Sequence, residues 1–447
     1  MIPPLLCLLL ALGALHAAEL APMIGFRGDG SGAFPPDCRP VTDFDGPSGR
    51  NIVWKAPLPN WGNASPIVVG DRAFVLCEAA TPATTDTPLI DTPLLLCFDA
   101  RDGRELWRQG IDAFLSLPDA AEAQRLRAIR RNYYAEAHRA NLAGEKNGPY
   151  QDWQDKGISS RFAPYGYFDS AIWNRTGMGY CMSTPVSDGQ RVFVATGHRT
   201  MTAFDLEGRL LWQQFHHDVG RDGWPHVEWS GMSPVIAGGR VLHHQAIEGK
   251  GKSIGLRCYD AATGQVLWTT PTEFIPHNAM GSPQVLRLPR ADGGHEPAVF
   301  CFSGEIIRVR DGAVLARRIG YGKRCAGLGT DGRDRVFLAC GWHGGFKRQP
   351  DEPWMADRFG IAQHQDLAPL NERQRLNLAI RFRLAGDSAT PEVLWAVRGN
   401  GEIWKPWQAN TQTVVNLDPY PVCHDGRLYL AGGQVWNADT GAVINNR

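Results

Sequence analysis

A motif that returns every 49 residues, strand-length apolar runs bounded by Gly and Asp turns, and a tryptophan closing four of the units together predict an all-β propeller of four-stranded blades. Composition agrees. The 447 residues include 50 Gly, 31 Pro and 15 Trp, a density of turn residues and indoles that argues against a helical bundle. Hydrophobic residues at 43% and charged residues at 21% are enough to form a packed core. The length fits two or three domains or one array of repeats. Basic and acidic side chains balance at 46 each, so charge gives no reason to expect nucleic acid or an anionic membrane surface as partner.

The repeat has two halves. Ser65-Pro66-Ile67-Val68-Val69-Gly70-Asp71-Arg72-Ala73-Phe74-Val75 is echoed from Thr184-Pro185 to Val194 and from Ser233-Pro234 to Leu242. The second half runs from Phe98-Asp99 to Trp107, from Phe204-Asp205 to Trp212 and from Tyr259-Asp260 to Trp268. Weaker copies begin at Ser282-Pro283, at Asp334-Arg335-Val336-Phe337 with Trp395, and at Tyr420-Pro421. The Ser-Pro run reads as the innermost strand and the Arg-Val-Phe run as the second, joined by a tight turn. The Phe/Tyr-Asp run reads as the third strand and Leu-Trp as the fourth. One blade cannot bury both of its faces alone, so Trp54, Trp107, Trp212, Trp268 and Trp395 are expected between neighbouring blades.

Six blades are read directly, and degenerate pieces leave room for a seventh. Ile52-Val53-Trp54-Lys55-Ala56-Pro57 resembles the fourth strand Val266-Leu267-Trp268-Thr269-Thr270-Pro271, so an N-terminal strand is expected to close the ring on the last blade. Two insertions interrupt the period, at about 113–177 and 343–377. The first contains an amphipathic helix expected over Ala120 to Ala143, with Arg125, Arg127, Arg130, Arg131 and Arg139 giving it a basic face, and an aromatic, Gly-rich loop over Gly148 to Gly177. The second holds a short helical candidate at Leu370 to Leu378.

Residues 1–18 read as a signal peptide, with an apolar run from Leu5 to Leu15 too short to span a bilayer. Residues 19–50 form an extension, and 51–447 the propeller. Cys7 lies inside the apolar run, where it does not fit a lipid-attachment site. No later stretch has the length of a membrane span, so a periplasmic or secreted protein, and a monomer, is expected. Nine cysteines remain after the leader, an odd number without any C-x-x-C pair, which speaks against a zinc or thioredoxin-like site. Cys77, Cys97, Cys258 and Cys301 lie in apolar strand runs and read as buried small hydrophobes.

These Ser-Pro, Asp-Arg-Val-Phe and Phe/Tyr-Asp-x3-Gly-x2-Leu-Trp units resemble the repeat of the PQQ-like β-propeller family, over residues 50–447 less the insertions. That superfamily includes quinoprotein alcohol dehydrogenases and BamB-type outer-membrane-assembly lipoproteins. The resemblance implies the fold and leaves function open between a catalyst and a docking platform. The dehydrogenases of the family carry an adjacent cysteine pair over the quinone, a calcium site and an Asp base. This chain has no Cys-Cys dipeptide and no Cys-x-x-Cys-His haem attachment.

Segments preceding the innermost strands should converge at the channel mouth, bringing Asn63, Cys181, His226, Glu228, Trp229, His277, Asn278, Arg324, Asn416 and Asp418 together. Such a set could hold a carboxylate-bearing ligand. Glu228, Asn278 and Asp418 carry oxygens of the type calcium prefers. Hydrogen bonding to turns and channel water is the competing role. His216-His217 and His243-His244 are sequence neighbours that point to opposite faces of a strand, which opposes a shared metal ion. No Gly-x-Ser-x-Gly or His-Glu-x-x-His motif suggests a hydrolase. The expectation is a non-catalytic binding or protein-interaction platform in the cell envelope, without a cofactor, for an unidentified protein or small-molecule ligand. The alternative is a PQQ-dependent oxidoreductase using calcium.

Overall fold

The computed structural model describes residues 24–30, 33–34, 43–60, 62, 64–78, 92–125, 127–128, 181–197, 199–216, 232–247, 254–272, 282–301, 303–317, 325–340, 375–399, 422–429 and 435–445. These residues form six antiparallel sheets, each built from four consecutive strands, with one extra N-terminal strand on the last. Blade 1 comprises Ile67–Val69, Arg72–Cys77, Leu94–Asp99 and Glu105–Gly110. Blade 2 comprises Val186–Ser187, Arg191–Ala195, Thr200–Asp205 and Leu210–Phe215. Blade 3 comprises Val235–Ala237, Arg240–Ala246, Ile254–Asp260 and Val266–Thr272. Blade 4 comprises Gln284–Pro289, His295–Phe300, Ile306–Arg308 and Val314–Ala316. Blade 5 comprises Cys325–Thr330, Arg335–Cys340, Arg375–Ala385 and Ser388–Gly399. Blade 6 comprises Val422–His424, Arg427–Tyr429, Val435–Asn437 and Val443–Asn445. From blade 2 to blade 6 the first strands of successive blades lie against one another, which places them around a common axis.

Each residue type in the repeat has a physical task in joining one blade to the next. At the end of the third strand an Asp or Asn side chain caps the turn. Asp99 Oδ1 accepts the Arg101 N–H at 2.9 Å, Asp260 Oδ1 accepts the Thr263 N–H at 2.8 Å, and Asn437 Oδ1 accepts the Thr440 N–H at 2.9 Å. The turn closes on a glycine with positive φ: Gly103 at 75°, Gly208 at 85°, Gly264 at 73°, Gly312 at 74° and Gly441 at 70°.

Onto this turn falls the tryptophan of the preceding fourth strand. Trp107 Nε1 donates to Leu206 O at 3.0 Å, Trp212 to Ala261 O at 3.1 Å, Trp268 to Val309 O at 3.1 Å and Trp395 to Ala438 O at 2.9 Å. The indole lies flat on the glycine. A methyl group built at Gly264 would stand 2.5 Å from Trp212 carbons, and at Gly208 and Gly312 it would stand 2.8 and 2.7 Å from Trp107 and Trp268. Glycine is therefore required twice at these turns, for its backbone angle and for the room it leaves. The buried clusters follow the same plan, lying in the seams between consecutive blades.

The N-terminal chain meets both the last and the first blade. Ala33–Phe34 pairs in parallel with the first strand of blade 6, Ala33 opposite Cys423 and Phe34 opposite His424. Residues 52–57 form no strand, although their sequence resembles a fourth strand. They instead deliver Trp54 to blade 1, where Nε1 donates to Ala100 O at 2.8 Å and the ring covers Gly103 at 2.6 Å from its missing methyl position. Blade 6 ends in Val443–Asn445, with Asn445 where the fourth strands of blades 1, 2, 3 and 5 carry tryptophan and that of blade 4 carries Ala316. Trp54 occupies on blade 1 the place that Trp107, Trp212, Trp268 and Trp395 occupy on blades 2, 3, 4 and 6, and with Ala56 it packs on Ala73, Cys77, Leu96 and Phe98.

Two expectations for the insertions meet described residues. Residues 120–125 are helical, and the Asp119 carboxylate caps them by accepting the Ala121 and Glu122 N–H groups at 2.9 and 3.2 Å. Its basic side chains are engaged within the chain: Arg125 pairs with Glu122 at 2.6 Å and Arg127 with Asp112 at 2.5 Å. Residues 129–143, with Arg130, Arg131 and Arg139, lie outside the described residues. The helical candidate at Leu370 to Leu378 is corrected, because Arg375–Ala385 is the third strand of blade 5. Leu376, Leu378, Ile380, Phe382 and Leu384 alternate with polar or small residues there, a period of two that belongs to a strand.

Gly264→Ala should destabilise the fold by about 2–4 kcal/mol, since left-handed strain adds to overpacking against Trp212. Gly189→Ala, at φ 87° with open space around it, should cost only about 1–2 kcal/mol. Urea denaturation of the two variants checks the order. Equal losses would show that the tryptophan seat does not bear on stability.

Candidate functional site

The ligand-binding set expected at the channel mouth, His226, Glu228, Trp229, His277, Asn278, Arg324, Asn416 and Asp418, lies outside the described residues, as do Asn63, the signal segment 1–18 and the loop 148–177. Of that neighbourhood Cys181 is described. It is fully buried, its N–H donates to Glu78 Oε1 at 2.9 Å, and burial pushes its thiol well above the ordinary range.

Around the axis, the hydroxyl residues of the Ser/Thr-Pro motif form a belt. Ser65 N–H donates to Thr184 Oγ1 at 3.2 Å, Thr184 N–H to Ser233 Oγ at 3.0 Å, and Ser233 N–H to Ser282 Oγ at 2.8 Å. Each bond joins one blade to the next at the equivalent residue. The proline that follows holds the chain extended, so the hydroxyl residue cannot turn helical. The sequence displayed this belt as a Ser or Thr recurring at the blade period. Its role as an acceptor for the preceding blade's amide emerges only from the structure.

The N-terminal chain crosses the inner strands of alternate blades. Ile24 and Ser187 exchange backbone hydrogen bonds at 2.9 and 2.7 Å in blade 2, Val285 N–H donates to Gly30 O at 3.2 Å in blade 4, and Ala33 faces Cys423 in blade 6. Ser187, Val285 and Cys423 occupy equivalent positions, two residues beyond the repeat's proline. Residues 24, 30 and 33 therefore meet three inner strands at equivalent positions of the repeat.

Among the described residues, the densest ionisable chemistry lies in the seam between blades 2 and 3. Strand alternation sends His243 and His244 to opposite faces of blade 3. His244 Nε2 lies 2.8 Å from Thr272 Oγ1 and its Nδ1 lies 3.2 Å from the Met232 sulfur. On the face toward blade 2, His216 Nε2 lies 2.7 Å from Tyr259 Oη, Gln245 Nε2 donates to Tyr259 Oη at 2.8 Å, and His243 Nδ1 lies 3.1 Å from Gln245 Oε1. His243 Nε2 in turn faces Met232 O at 2.9 Å. Trp212 of blade 2 stacks on Tyr259 with ring centroids 6.2 Å apart.

Both nitrogens of His243 thus meet oxygens, which suits a doubly protonated ring. Burial opposes that charge, with help from the Arg257 guanidinium, and pushes the His243 pKa down to about 4. Burial pushes His244 down to about 3. A neutral His243 needs the Gln245 amide turned by half a rotation, so that its nitrogen donates to Nδ1 and its oxygen accepts from Tyr259. The network is then fully paired and uncharged.

Six described cysteines are free thiols and buried. Burial raises Cys77 and Cys423 to about 11 and Cys97 and Cys258 to about 12, and it holds Cys181 and Cys301 well above the ordinary value. The thiolate is the reactive form, so these side chains are core filler rather than nucleophiles at neutral pH. No group of three or more His, Cys, Asp or Glu among the described residues is placed to hold a metal ion. No helix among them is long and apolar enough to cross a membrane.

Two outcomes follow for this region. Depressed histidine pKa values mean that the unfolded chain binds more protons than the folded one below about 6.5. Stability should be fully present above pH 6.5 and fall as pH drops toward 4, a window above that of the carboxylates; urea midpoints across it should flatten in a His243→Gln/His244→Leu variant. Ser233→Ala leaves the buried Thr184 N–H without its acceptor and should cost about 1–3 kcal/mol in the same assay.

Comparison with known proteins adds the family. The model of the outer membrane protein assembly factor BamB matches residues 169–310, which cover blades 2, 3 and most of 4. BamB from Moraxella catarrhalis is 12% identical, with 88% of this chain and 74% of that one covered at a TM-score of 0.39. The quinohemoprotein alcohol dehydrogenase ADHIIG from Pseudomonas putida HK5 is also 12% identical, with 88% and 67% covered at 0.32. The quinohemoprotein alcohol dehydrogenase from Comamonas testosteroni is 12% identical, with 86% and 66% covered at 0.35. No curated protein matches the sequence. At this similarity the six sheets themselves, rather than any superposition, establish the fold. Repeat, blade topology and family match agree that the chain carries the PQQ-like β-propeller repeat and resembles that family, most directly over residues 169–310.

Proposed function

We propose that this chain is a non-catalytic protein-interaction platform of the cell envelope, exported and BamB-like in use as well as in fold. The observation that carries the reading is the match of residues 169–310 to an outer membrane protein assembly factor. Chemistry within the described blades is consistent with it. Buried histidines are held neutral by burial, buried thiols are held protonated, and the hydroxyls of the axial belt are spent on backbone amides. A rigid ring with long insertions between its strands is a frame on which a partner surface can be displayed.

A quinone-dependent oxidoreductase is the competing reading, motivated by the dehydrogenase neighbours. Glu228, Asn278 and Asp418, which would supply calcium oxygens under it, lie outside the described residues, and no reaction step is derived from them. The Cys-Cys dipeptide of the family's quinone site is absent from the sequence.

Titration of the purified mature protein with pyrroloquinoline quinone and calcium, followed by gel filtration, separates the two readings. The platform predicts no quinone retained by absorbance, and crosslinking in envelope fractions should enrich outer membrane assembly proteins. Stoichiometric, calcium-dependent retention of the quinone would overturn it.

A further inference from the structure

Arg257, in the third strand of blade 3, is 5% exposed, and its Nη1 is out of reach of solvent with no hydrogen-bond partner. Among the described residues no carboxylate pairs with it. The ladder puts His243 directly opposite on one side and Thr269 on the other. Tyr259, two residues along, shares its face, and Gln245 joins them through its hydrogen bond to the Tyr259 hydroxyl. These neighbours are neutral: His243 because burial keeps it so, Gln245 and Tyr259 by nature.

A guanidinium does not lose its proton in a protein, so Arg257 cannot escape its burial by neutralising. A charge buried without a counter-charge costs several kcal/mol, and the natural compensation is an anion. The planar fork of arginine selects oxyanions, which accept two parallel N–H bonds. Space on the inner side is limited, since His243 is 3% exposed and Tyr259 fully buried. On the outer side Thr269 is exposed and sits on the edge strand, which puts that end of the seam at the surface.

We propose that Arg257 anchors a binding site for a small oxyanion, such as inorganic phosphate or a short carboxylate, in the seam between blades 2 and 3, with the Thr269 hydroxyl as the adjacent donor. The site is separate from the channel mouth and independent of whether the propeller is a platform or an enzyme. Its occupancy would neutralise the buried charge and stiffen the junction where Trp212 meets Tyr259.

The test is isothermal titration of the full mature protein with phosphate, formate and chloride at constant ionic strength, alongside melting curves. One of the two oxyanions should bind saturably with unit stoichiometry and raise the melting temperature, and Arg257→Gln should weaken that binding about tenfold or more. Arg257→Lys serves as a second variant that keeps the charge but loses the fork, and it should bind less tightly than the parent. Absence of oxyanion binding by the parent would overturn the proposal, as would binding unchanged in Arg257→Gln. Chloride binding with neither oxyanion would also overturn it, since the fork would then have no role.

Discussion

The structure depends on one repeated contact, an indole laid on a glycine in the next blade's turn. The same turn presents a carbonyl to the indole N–H, as Ala261 does for Trp212 and Val309 for Trp268. Three requirements meet there: a backbone angle reserved for glycine, space for a ring, and an acceptor aimed at its edge. A residue with a β-carbon would break two of them at once. The contact also sets the spacing between sheets, so the apolar faces of successive blades meet at packing distance and the seams fill with Leu, Val, Phe and Cys. Near the axis the hydroxyl belt from Ser65 to Ser282 performs the matching task for backbone amides. Blades 1, 2 and 3 are thus each tied to the next blade at both the outer and the inner edge.

Much of this fold was legible in the sequence because each contact repeats. Period and turn glycines located the strands, and Leu-Trp marked the seams. The residues that fill single rather than repeated roles were not legible. Leu370 to Leu378 looked helical because a short apolar stretch satisfies both periods until its partner strand is known; the hairpin Arg375–Gly399 resolves it. Ile52–Pro57 looked like a strand because it copies a strand's sequence, yet what it contributes is one tryptophan. The contacts of residues 24, 30 and 33–34 with blades 2, 4 and 6 had no sequence signal, since backbone hydrogen bonds leave no mark on side-chain pattern. The polar seam of blades 2 and 3 was half visible: His216, His243 and His244 were noticed, but Gln245, Arg257 and Tyr259, which decide their chemistry, come together only through strand register.

The seam between blades 2 and 3 buries histidine, glutamine, tyrosine and arginine together. A buried polar network is tolerable when every member is paired, and the histidines meet that condition once neutral. Arginine cannot.

Trp54 stands in for the tryptophan that blade 6 lacks. Amide hydrogen exchange of a Trp54→Ala variant, read peptide by peptide, tests it most directly. Loss of protection concentrated in blade 1, over Arg72–Cys77 and Leu94–Asp99, with blades 3 and 4 little changed, is the predicted result. Unchanged protection in those two strands would contradict it, and the N-terminal segment would then be packing on a blade that holds itself together.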